Sequence, residues 1–352
     1  MTNKATRVPA SALEAFITSA FVAVGMDAGS SARIAALMTQ ADLSGADGHG
    51  VFRLPQYVRR IRGGAVNLRP EIRVEREAPA SALVDGDNGM GHLVMRFAAE
   101  KAIQKAKTTG VAWVGAKWSN HAGPAALYAS MPLEHDMIGL YLAVGNANHL
   151  AAWGGLDMLL STNPLAIAVP AAEEPPVILD MATTVAAYGK VKTAAQRGEM
   201  MPEGWMIDRL GRPLTDPKRA AEGLLVPIGG YKGYGLALLI GLLAGNLNGA
   251  AMGRNVVDFN NDDETPTNTG HLIVAINIAA FREVDEFKRS VDEVVRDIRN
   301  SKTLPGIDAI RIPGDGSHAE RRERARLGIP LSAALLADLN KLAASLNVPP
   351  LA

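Results

Sequence analysis

The segment Gly314-Asp315-Gly316-Ser317-His318-Ala319 is the one match in the chain to the pattern G-x-G-x-x-G/A, and its position decides between two classes of fold. It follows a strand-like run at Ala309–Ile312 and opens a predicted helix, a context in which a helix N-terminus binds phosphate. However, it lies about 40 residues before the C-terminus, and no second strand with an acidic end follows. The sequence therefore argues against a Rossmann fold and predicts an isolated anion-binding turn, with an exposed helix start as the alternative.

Both ends of the chain carry helical patterns. Ser11 and Glu14 match a capping box, which predicts that the first amphipathic helix begins there. Apolar residues at helical spacing predict the other terminal helices. These are Ser31–Ala41, Leu54–Arg62, Val284–Asn300, Ala319–Leu327 and Ser332–Leu346.

The centre of the chain, from about Arg73, contains short apolar runs of strand length between helical patterns. The predicted strands are Val111–Val114, Ile138–Val144, Leu165–Val169, Pro176–Leu179 and His271–Phe281, and the predicted helices are His92–Lys107 and Gly233–Leu247. This order predicts an α+β protein. A helical domain built from both chain ends (residues 1–75 and 283–352) is expected to pack on a central α/β domain (residues 76–282).

The composition excludes several classes of protein. The 352 residues include no cysteine, which excludes disulfides, thiolate nucleophiles, iron–sulfur clusters and cysteine-ligated zinc. The 36 basic residues balance 36 acidic ones, which argues against nucleic acid or a membrane surface as partners. No signal segment is recognised near the N-terminus, and the most apolar stretch, Leu236–Ala244, is far shorter than the ~20 residues of a membrane span. The sequence predicts a soluble cytoplasmic protein.

Fourteen of the 35 glycines lie in five clusters, and the share of glycine in the chain exceeds the usual ~7%. The clusters are Gly45–Gly50, Gly86–Gly91, Gly154-Gly155, Gly229–Gly235 and Gly314–Gly316. Glycine permits close approach of the backbone to a ligand, although turns alone also use it. Because several clusters adjoin histidine, lysine or asparagine, they favour a ligand site.

Two histidines lie on predicted loops beside chemically active neighbours. His49 lies between two predicted helices with Arg53 one turn further on, and His121 follows the strand Val111–Val114. Histidine exchanges a proton near neutral pH, and the planar fork of arginine binds a carboxylate. The pattern predicts an acid/base histidine with a carboxylate anchor. The alternative is a pair of loop histidines bonded to backbone groups.

The remaining sequence signals point to no other chemistry. His92, His135, His271 and His318 are interpreted as structural. No pair of histidines has the spacing of metal ligands, so we predict no metal site. The motifs of P-loop, serine-hydrolase and zinc-protease sites do not occur in the sequence.

Eight short motifs occur in order along the chain. They are His49-Gly-Val-Phe-Arg53-Leu-Pro-Gln-Tyr57, Ser119-Asn120-His121, Trp153-Gly154-Gly155, Thr162-Asn163-Pro164-Leu165, Leu179-Asp180-Met181-Ala182-Thr183, Gly189-Lys190, Pro202-Glu203-Gly204-Trp205 and Gly229-Gly230-Tyr231-Lys232-Gly233-Tyr234-Gly235. Together they resemble the malate/L-lactate dehydrogenase family of NAD(P)-dependent oxidoreductases. The resemblance covers nearly the whole chain, from about Ser11 to Leu331.

This resemblance implies a non-Rossmann fold whose central domain has a largely antiparallel mixed sheet. It also implies a homodimer that binds NAD or NADP and a small carboxylate near the subunit interface. The implied reaction transfers hydride between the nicotinamide and C2 of a 2-hydroxy or 2-oxo carboxylic acid. Substrates of malate, lactate, sulfolactate or ureidoglycolate type are expected.

The resemblance further assigns roles to individual residues. His121 matches the family's proton-transferring histidine, and His49 matches a second active-site histidine. Arg53 matches the residue that holds the substrate carboxylate, while Tyr57 and Thr162 match further substrate contacts. The residues that match cofactor contacts are Asp180, Met181, Ala182, Lys232, Gly314, Asp315 and Gly316.

Two positions depart from the family pattern. Gly48 stands where the family usually has serine, so a hydroxyl beside His49 is missing and more weight falls on His121. The loop before Trp153 lacks the usual serine or threonine and prolines. Its Asn146 can bond a nicotinamide carboxamide or a substrate oxygen, so we count it among the cofactor-side residues. Lys190 agrees with hydroxyacid-type members, whereas some imine-reducing members carry aspartate there.

Two alternative functions remain open at this point. A reductase of cyclic or N-alkyl imino acids, of Δ1-piperideine-2-carboxylate type, needs less help from an acid and is therefore compatible with Gly48, although Lys190 argues against it. A non-catalytic homologue that only binds the nucleotide is the second alternative. Its support is Gly48 and the altered loop around Asn146.

Overall fold

The computed structural model describes residues 5–351, with the side chains of Gln196 and Arg197 left out, so the outermost residues of both predicted helical segments lie outside it. The α-helices are, in chain order, α1 (Ala10–Ala23), α2 (Ala28–Leu43), α3 (Leu54–Arg62), α4 (Gly91–Thr109), α5 (Ala126–Ala129), α6 (Tyr188–Arg197), α7 (Tyr231–Ala244), α8 (Val284–Asn300), α9 (Asp315–Leu327) and α10 (Ala333–Leu346). The strands are β1 (Thr6–Val8), β2 (Arg73–Ala78), β3 (Ser81–Asp85), β4 (Val111–Ser119), β5 (Met137–Ala143), β6 (Leu150–Ala151), β7 (Met158–Leu160), β8 (Leu165–Val169), β9 (Val177–Met181), β10 (Met206–Ile207), β11 (Leu224–Leu225), β12 (Thr269–Asn277) and β13 (Ile329–Leu331).

A seven-stranded sheet with the order β2-β3-β4-β12-β5-β8-β9 forms the centre of the molecule. Only β3 and β4 run parallel, and the helix α4 connects them as a crossover. The other neighbouring strands of this sheet are antiparallel. The predictions of an α+β fold and of a largely antiparallel mixed sheet are confirmed.

Two helices cover the two faces of the sheet, and β12 shows this most clearly. Because successive residues of a strand face opposite sides, Leu272 and Val274 pack with α7, whereas Ile273 and Ala275 pack with α4. Both sets are buried, so β12 is apolar throughout its centre. The site described below lies at the end of this sheet where β4 finishes.

The two chain ends meet in a helical layer. The strands β1 and β13 pair antiparallel, which joins the N-terminal segment to the end of α9. Buried residues of α1, α2, α3 and α10, such as Phe16, Met38, Tyr57 and Leu339, share one hydrophobic cluster. By contrast, α8 contacts the sheet, since Asp292 accepts backbone N–H groups of the β8–β9 turn at 2.9–3.3 Å. The division at residues 75 and 283 stays a prediction.

Several predicted helix and strand boundaries differ from the structure, and three of these differences show their physical cause. The helix α1 begins at Ala10, before the predicted cap, because the Pro9 carbonyl already accepts the Leu13 N–H. The run Ala309–Ile312 is not a strand; the nearest link to the sheet is a bond from Ile178 N–H to the Pro313 carbonyl at 2.9 Å. The helix α9 begins four residues earlier than predicted, directly after Gly314.

A small unit between residues 188 and 226 covers the cavity that is described below. It consists of α6, the two-stranded sheet β10–β11 and a short 3-10 helix at Pro217–Glu222. Its core is a separate hydrophobic cluster that includes Val191, Met206 and Leu225. No helix in the described part of the chain is long and apolar enough to cross a bilayer.

Candidate functional site

The loop that carries His49 and Arg53 folds around the buried carboxyl group of Asp42. Between α2 and α3 the chain forms two 3-10 turns, Asp47–His49 and Val51–Arg53. The Val51 N–H donates to Asp42 Oδ2 at 2.8 Å, and burial raises the pKa of Asp42 to about 8. A methyl group on Gly50 would lie 2.0 Å from Asp42 Oδ1. Only glycine therefore fits above Asp42, and this contact fixes the loop.

Replacement of Gly50 by alanine should destabilise this loop. We expect the Gly50→Ala variant to lose about 1–3 kcal/mol in free energy of unfolding, because the new methyl group forces Asp42 and the backbone apart. Turnover should fall with it, since His49 and Arg53 are displaced. Urea denaturation measures the effect, with Gly48→Ala as the stability control, because a methyl group there meets no atom within 4 Å. Equal stability of Gly50→Ala and the wild type would contradict the role of this contact.

The segment Asn120–Gly123 positions His121 at the end of β4. The Asn120 side chain is buried and donates to the carbonyls of Asn88 and Gly89 at 3.1 and 3.0 Å. On the opposite side, His271 Nε2 lies 3.2 Å from the Asn120 carbonyl. Both contacts involve the residue just before His121, so the backbone that presents His121 is held from two directions.

The His121 ring is fixed by hydrogen bonds at Nδ1. Tyr57 Oη lies 2.6 Å from Nδ1, and the backbone N of Gly123 lies 3.3 Å from the same atom. No hydrogen bond of Nε2 occurs in the described residues, and the ring borders a cavity. Since a tyrosine hydroxyl can donate or accept, Tyr57 can partner Nδ1 in the neutral and in the protonated ring. The arrangement leaves Nε2 as the atom that can exchange a proton.

Two aromatic rings lie nearly parallel to the His121 ring. The centre of the His49 ring is 5.6 Å from that of His121, and the centre of the Phe259 ring is 5.0 Å from it. Burial, followed by Arg53 and the neighbouring histidines, lowers the pKa of His121 well below its usual value of 6.5. Burial and Arg53 lower the pKa of His49 to about 4. Both rings are therefore neutral at pH 7 in this state.

Arg53 lies in the same cavity without a carboxylate partner among the described residues. Its Nε donates to the Gly48 carbonyl at 2.9 Å, and Nη1 donates to Gln56 Oε1 at 2.8 Å. The guanidinium carbon lies 5.8 Å from the centre of the Phe259 ring. These neutral contacts orient the guanidinium but leave its charge unpaired, as expected for an anion-binding site.

The structure brings most of the predicted catalytic and substrate-side residues together. His49, Arg53, His121 and Thr162 all line this cavity, and Tyr57 supports His121 from behind. Asn146 also lines it and donates through Nδ2 to Thr269 Oγ1. The walls between these residues are formed by small side chains. They include Ala122, Gly123, Ala143, Gly145, Ala147, Ala187 and Gly189.

The other predicted cofactor residues lie outside the cavity. Asp180, Met181 and Ala182 are at the end of β9, and the Asp180 carboxylate accepts the Ala126 N–H at 2.8 Å. Lys232 is exposed at the start of α7. A methyl group on Gly314 would lie 3.1 Å from Ile178 N, so the Gly314 turn lies directly against β9.

In the turn Gly314–Gly316, the Asp315 side chain is engaged by contacts within the protein, which the sequence did not indicate. Gly314 has a φ of 102°, which favours glycine. Asp315 pairs with Arg299 at 2.7 Å and accepts the Ile312 N–H at 2.8 Å, so its carboxylate holds the turn together. Its predicted role as a cofactor contact stays a prediction.

Several cavity residues were missed by the sequence analysis. Tyr188 and Lys192 lie one turn apart on α6, a spacing that places both on one helix face and that a search for cationic residues near the glycine motif would have found. Phe259 and Asn260 lie in an irregular segment and gave no sequence signal. His271, interpreted as structural, also borders the cavity and bonds Tyr141 Oη at 2.7 Å. Within residues 5–351 no group of three His, Asp or Glu residues is placed to hold a metal ion.

Comparison with known proteins identifies close relatives over almost the whole chain. A sequence model described as malate/L-lactate dehydrogenase matches residues 8–340. A relative named malate dehydrogenase, from Pyrococcus horikoshii, is 38% identical over 351 residues, which cover 97% of this chain and 96% of that protein. An L-sulfolactate dehydrogenase from Methanothermobacter thermautotrophicus is 39% identical over 315 residues, or 90% of each chain. A ureidoglycolate dehydrogenase (NAD(+)) from Escherichia coli O157:H7 is 33% identical over 85% of each chain.

Solved structures show the same fold. Malate dehydrogenase from Pyrococcus horikoshii OT3 superposes with a TM-score of 0.91 at 35% identity, covering 100% of this chain and 98% of that one. A Δ1-piperideine-2-carboxylate reductase from Pseudomonas syringae superposes with a TM-score of 0.83 at 29% identity, covering 96% of this chain and 100% of that one.

Proposed function

Because the chain belongs to the malate/L-lactate dehydrogenase family, we propose that it is an NAD(P)-dependent oxidoreductase of small 2-hydroxy and 2-oxo carboxylic acids. One observation carries this proposal. His121, with Nδ1 bonded and Nε2 free, shares a cavity with the unpaired Arg53. A proton donor beside a carboxylate anchor is the pair of groups that such a reaction requires.

The cavity has a shape and a donor set that suit a nicotinamide ring. Methyl groups on Gly48 or Gly189 would meet no atom within 4 Å, so both glycines leave open space in the cavity that His121 also lines. Asn146 would bond the carboxamide, and Asp180, Met181, Ala182 and Lys232 would hold the adjoining nucleotide. Gly314, Asp315 and Gly316 would bind its phosphate end, since their turn adjoins β9. The cofactor, NAD or NADP, supplies or accepts a hydride at C2 of the substrate.

The residues of this chain then bind the substrate and move the proton. Arg53 binds the C1 carboxylate with its planar fork. During reduction C2 gains the hydride, the electron pair of the C2=O double bond moves to oxygen, and that oxygen takes a proton from His121 Nε2. Nδ1 keeps its proton while Nε2 gives or takes one, so Tyr57 Oη accepts from Nδ1 throughout and keeps the ring in place. In the oxidation direction neutral His121 accepts the hydroxyl proton.

His49 has a different place in this proposal. Its ring stacks on His121, and both line the cavity, but Gly48 supplies no hydroxyl that would connect His49 to the substrate. We therefore assign His49 to the wall of the cavity, where its ring packs beside His121 and excludes water. Thr162 borders the same cavity as a further substrate contact.

The pH dependence of the two directions should differ. Because the pKa of His121 lies below 6.5 in the free enzyme, the neutral ring predominates above that pH. We expect kcat/KM for hydroxyacid oxidation to stay constant down to pH 6.5 and to fall only at lower pH. The same parameter for reduction should already decrease as pH rises above 6.5. Initial rates between pH 5 and 9 test this, and an acidic limb above pH 6.5 for oxidation would contradict the protonation state.

The proposed function is tested by substrate assays. Purified protein is mixed with NADH or NADPH and with pyruvate, oxaloacetate or Δ1-piperideine-2-carboxylate, and cofactor oxidation is followed at 340 nm. We expect turnover of a 2-oxo acid that exceeds turnover of the imine. Binding of NAD(P)H without turnover of any of these compounds, or of a broader 2-oxo acid panel, would favour a non-catalytic nucleotide-binding protein.

Reduction of a cyclic or N-alkyl imino acid is the second candidate function. It is favoured by Gly48 and by the structural similarity to the Pseudomonas piperideine carboxylate reductase. A protonated imine accepts hydride with less help from an acid, so its turnover would depend less on His121. Preferential turnover of Δ1-piperideine-2-carboxylate would select this candidate.

A homodimer is part of the same proposal. Its support in this chain is the outer face of α7 and the turn that follows it. Leu239, Leu242 and Leu247 are 59%, 42% and 62% exposed there. Apolar side chains grouped in this way on a surface helix are typical of a subunit contact.

A further inference from the structure

Lys192 is a cation at the cavity that the mechanism above does not use. It lies on α6 one turn after Tyr188, with its ammonium 5.5 Å from the centre of the Tyr188 ring. The side chain is half-buried and borders both the His121 cavity and an adjoining one. In the described part of the chain neither Lys192 nor Arg53 forms an ion pair with a carboxylate. Their nearest polar contacts are neutral oxygens.

Arg53 and Lys192 share one neutral acceptor. Asn260 Oδ1 accepts from Lys192 Nζ at 3.0 Å and lies 3.4 Å from Arg53 Nη1. The two cationic nitrogens are therefore less than 7 Å apart. They belong to α6 and to the loop before α3, so the close approach is produced by the tertiary fold.

The orientation of Asn260 is fixed from its other side. Asp258 Oδ1 accepts the backbone N–H of Asn260 at 2.9 Å and its Nδ2 at 3.2 Å, while Asp258 Oδ2 accepts from Asn261. The amide nitrogen therefore faces a carboxylate, and the amide oxygen faces the two cations. Because its oxygens are used in this way, Asp258 orients Asn260 and does not pair with Lys192.

The two half-buried cations that share this amide oxygen form no ion pair in the described residues, and the Asp258 carboxylate acts on Lys192 only from behind Asn260. Burial lowers the pKa of Lys192, Arg53 adds to this effect, and Asp258 opposes it. Burial also lowers the pKa of Arg53. Removing charges from water is unfavourable unless they are paired, so the site favours a ligand that brings more than one negative charge.

We propose that Lys192 and Asn260 form a subsite for a second anionic group of the substrate. The enzyme then selects short 2-oxo and 2-hydroxy acids that carry a distal carboxylate or sulfonate over monocarboxylates. This inference rests on the proposed function, in which Arg53 binds the C1 carboxylate. The distance below 7 Å between the two cations suits a substrate with a short carbon chain between its two anionic groups.

The subsite is tested by comparing substrates that differ only in the distal group. We would measure kcat and KM for oxaloacetate, 3-sulfopyruvate and 2-oxobutanoate with wild type, Lys192→Met and Lys192→Arg. Methionine keeps the packing on Tyr188 and removes only the charge. Lys192→Met should lower kcat/KM for the two dianions by about 10- to 100-fold, mainly through KM, because it removes a hydrogen bond between charged groups. Reduction of 2-oxobutanoate should be unchanged, and Lys192→Arg should restore most of the loss.

The control is Lys218→Met, an exposed lysine of the same small unit, which should behave like the wild type with all three compounds. The ratio of the wild-type constants for oxaloacetate and 3-sulfopyruvate distinguishes a carboxylate from a sulfonate as the preferred group. Equal losses on dianions and 2-oxobutanoate would overturn the subsite, since Lys192 would then bind the C1 carboxylate. A raised Kd for NAD(P)H in Lys192→Met would assign Lys192 to the cofactor instead. Failure of the wild type to reduce any of the three compounds would contradict the proposed function itself.

Discussion

Replacement of His121 by glutamine is expected to lower kcat by about 10²- to 10⁴-fold in both directions, which is the usual contribution of a positioned acid or base. Glutamine can still bond Tyr57 and the Gly123 N–H, which both contact Nδ1, but it cannot exchange a proton at the substrate oxygen. Affinity for NAD(P)H should stay unchanged, because the loss concerns proton transfer. Steady-state rates and fluorescence titration with NAD(P)H measure the two quantities.

The control for this variant is His135→Gln, since His135 is an exposed histidine at the end of a 3-10 helix remote from the cavity. It should retain the activity of the wild type. Turnover of His121→Gln at the rate of His135→Gln would remove His121 from the mechanism. Selective retention of imine reduction in His121→Gln would instead support the second candidate function.

Replacement of Arg53 by methionine is expected to lower kcat/KM for a 2-oxo acid by about 10²- to 10⁴-fold. A bidentate pair between a guanidinium and a carboxylate contains two charge-assisted hydrogen bonds, and each contributes about 1.5–3 kcal/mol. Methionine preserves much of the packing on Phe259, which lies 5.8 Å from the guanidinium carbon. Most of the loss should therefore appear as a higher KM, with a smaller loss in kcat from imperfect orientation of C2.

Two further variants test whether the loss in Arg53→Met comes from the planar guanidinium of Arg53. Arg53→Lys keeps the charge but not the planar fork, so it should recover only part of the activity. Arg62→Met, on the exposed side of the same helix α3, should match the wild type. An unchanged KM in Arg53→Met would show that the substrate carboxylate binds elsewhere.

The parts of the fold that local patterns determine were predicted well. The helix Leu54–Arg62 has the predicted bounds, because an apolar periodicity ends at Gly63-Gly64. The strand β4 runs five residues beyond the predicted Val111–Val114, since Gly115 and Lys117 interrupt the apolar pattern. Gly115 is required there because a methyl group would lie 2.0 Å from Asn248 Oδ1, a contact between distant segments that no local pattern contains.

The dependence on contacts between distant segments also explains why the strand predicted at Ala309–Ile312 was wrong. Its apolar residues satisfy the pattern of a strand, but a strand also needs a partner with free backbone groups. The neighbouring edge strand β9 bonds to Pro313 through a single N–H, that of Ile178, and otherwise pairs with β8. Strand pairing is a property of the assembled sheet, so periodicity alone did not exclude this segment.

The candidate site was likewise predicted only in part from the sequence. His49, Arg53 and His121 were predicted from loop position, side-chain chemistry and recognisable motifs, and the fold places them in one cavity. The bond between Tyr57 and His121 Nδ1 joins residues 64 positions apart, so its existence depends on tertiary structure. Lys192 and Asn260 meet across 68 positions, and nothing in either local sequence marks their contact.

The most direct measurement is the fate of the hydride. The wild-type protein is supplied with NADH or NADPH carrying deuterium at C4 of the nicotinamide on one face, then on the other, together with a 2-oxo acid that it reduces. NMR and mass spectrometry of the product should show one deuterium bonded to C2 of the 2-hydroxy acid for one face and none for the other. Cofactor oxidation that leaves C2 of the product unlabelled with both cofactors would contradict direct hydride transfer at this site.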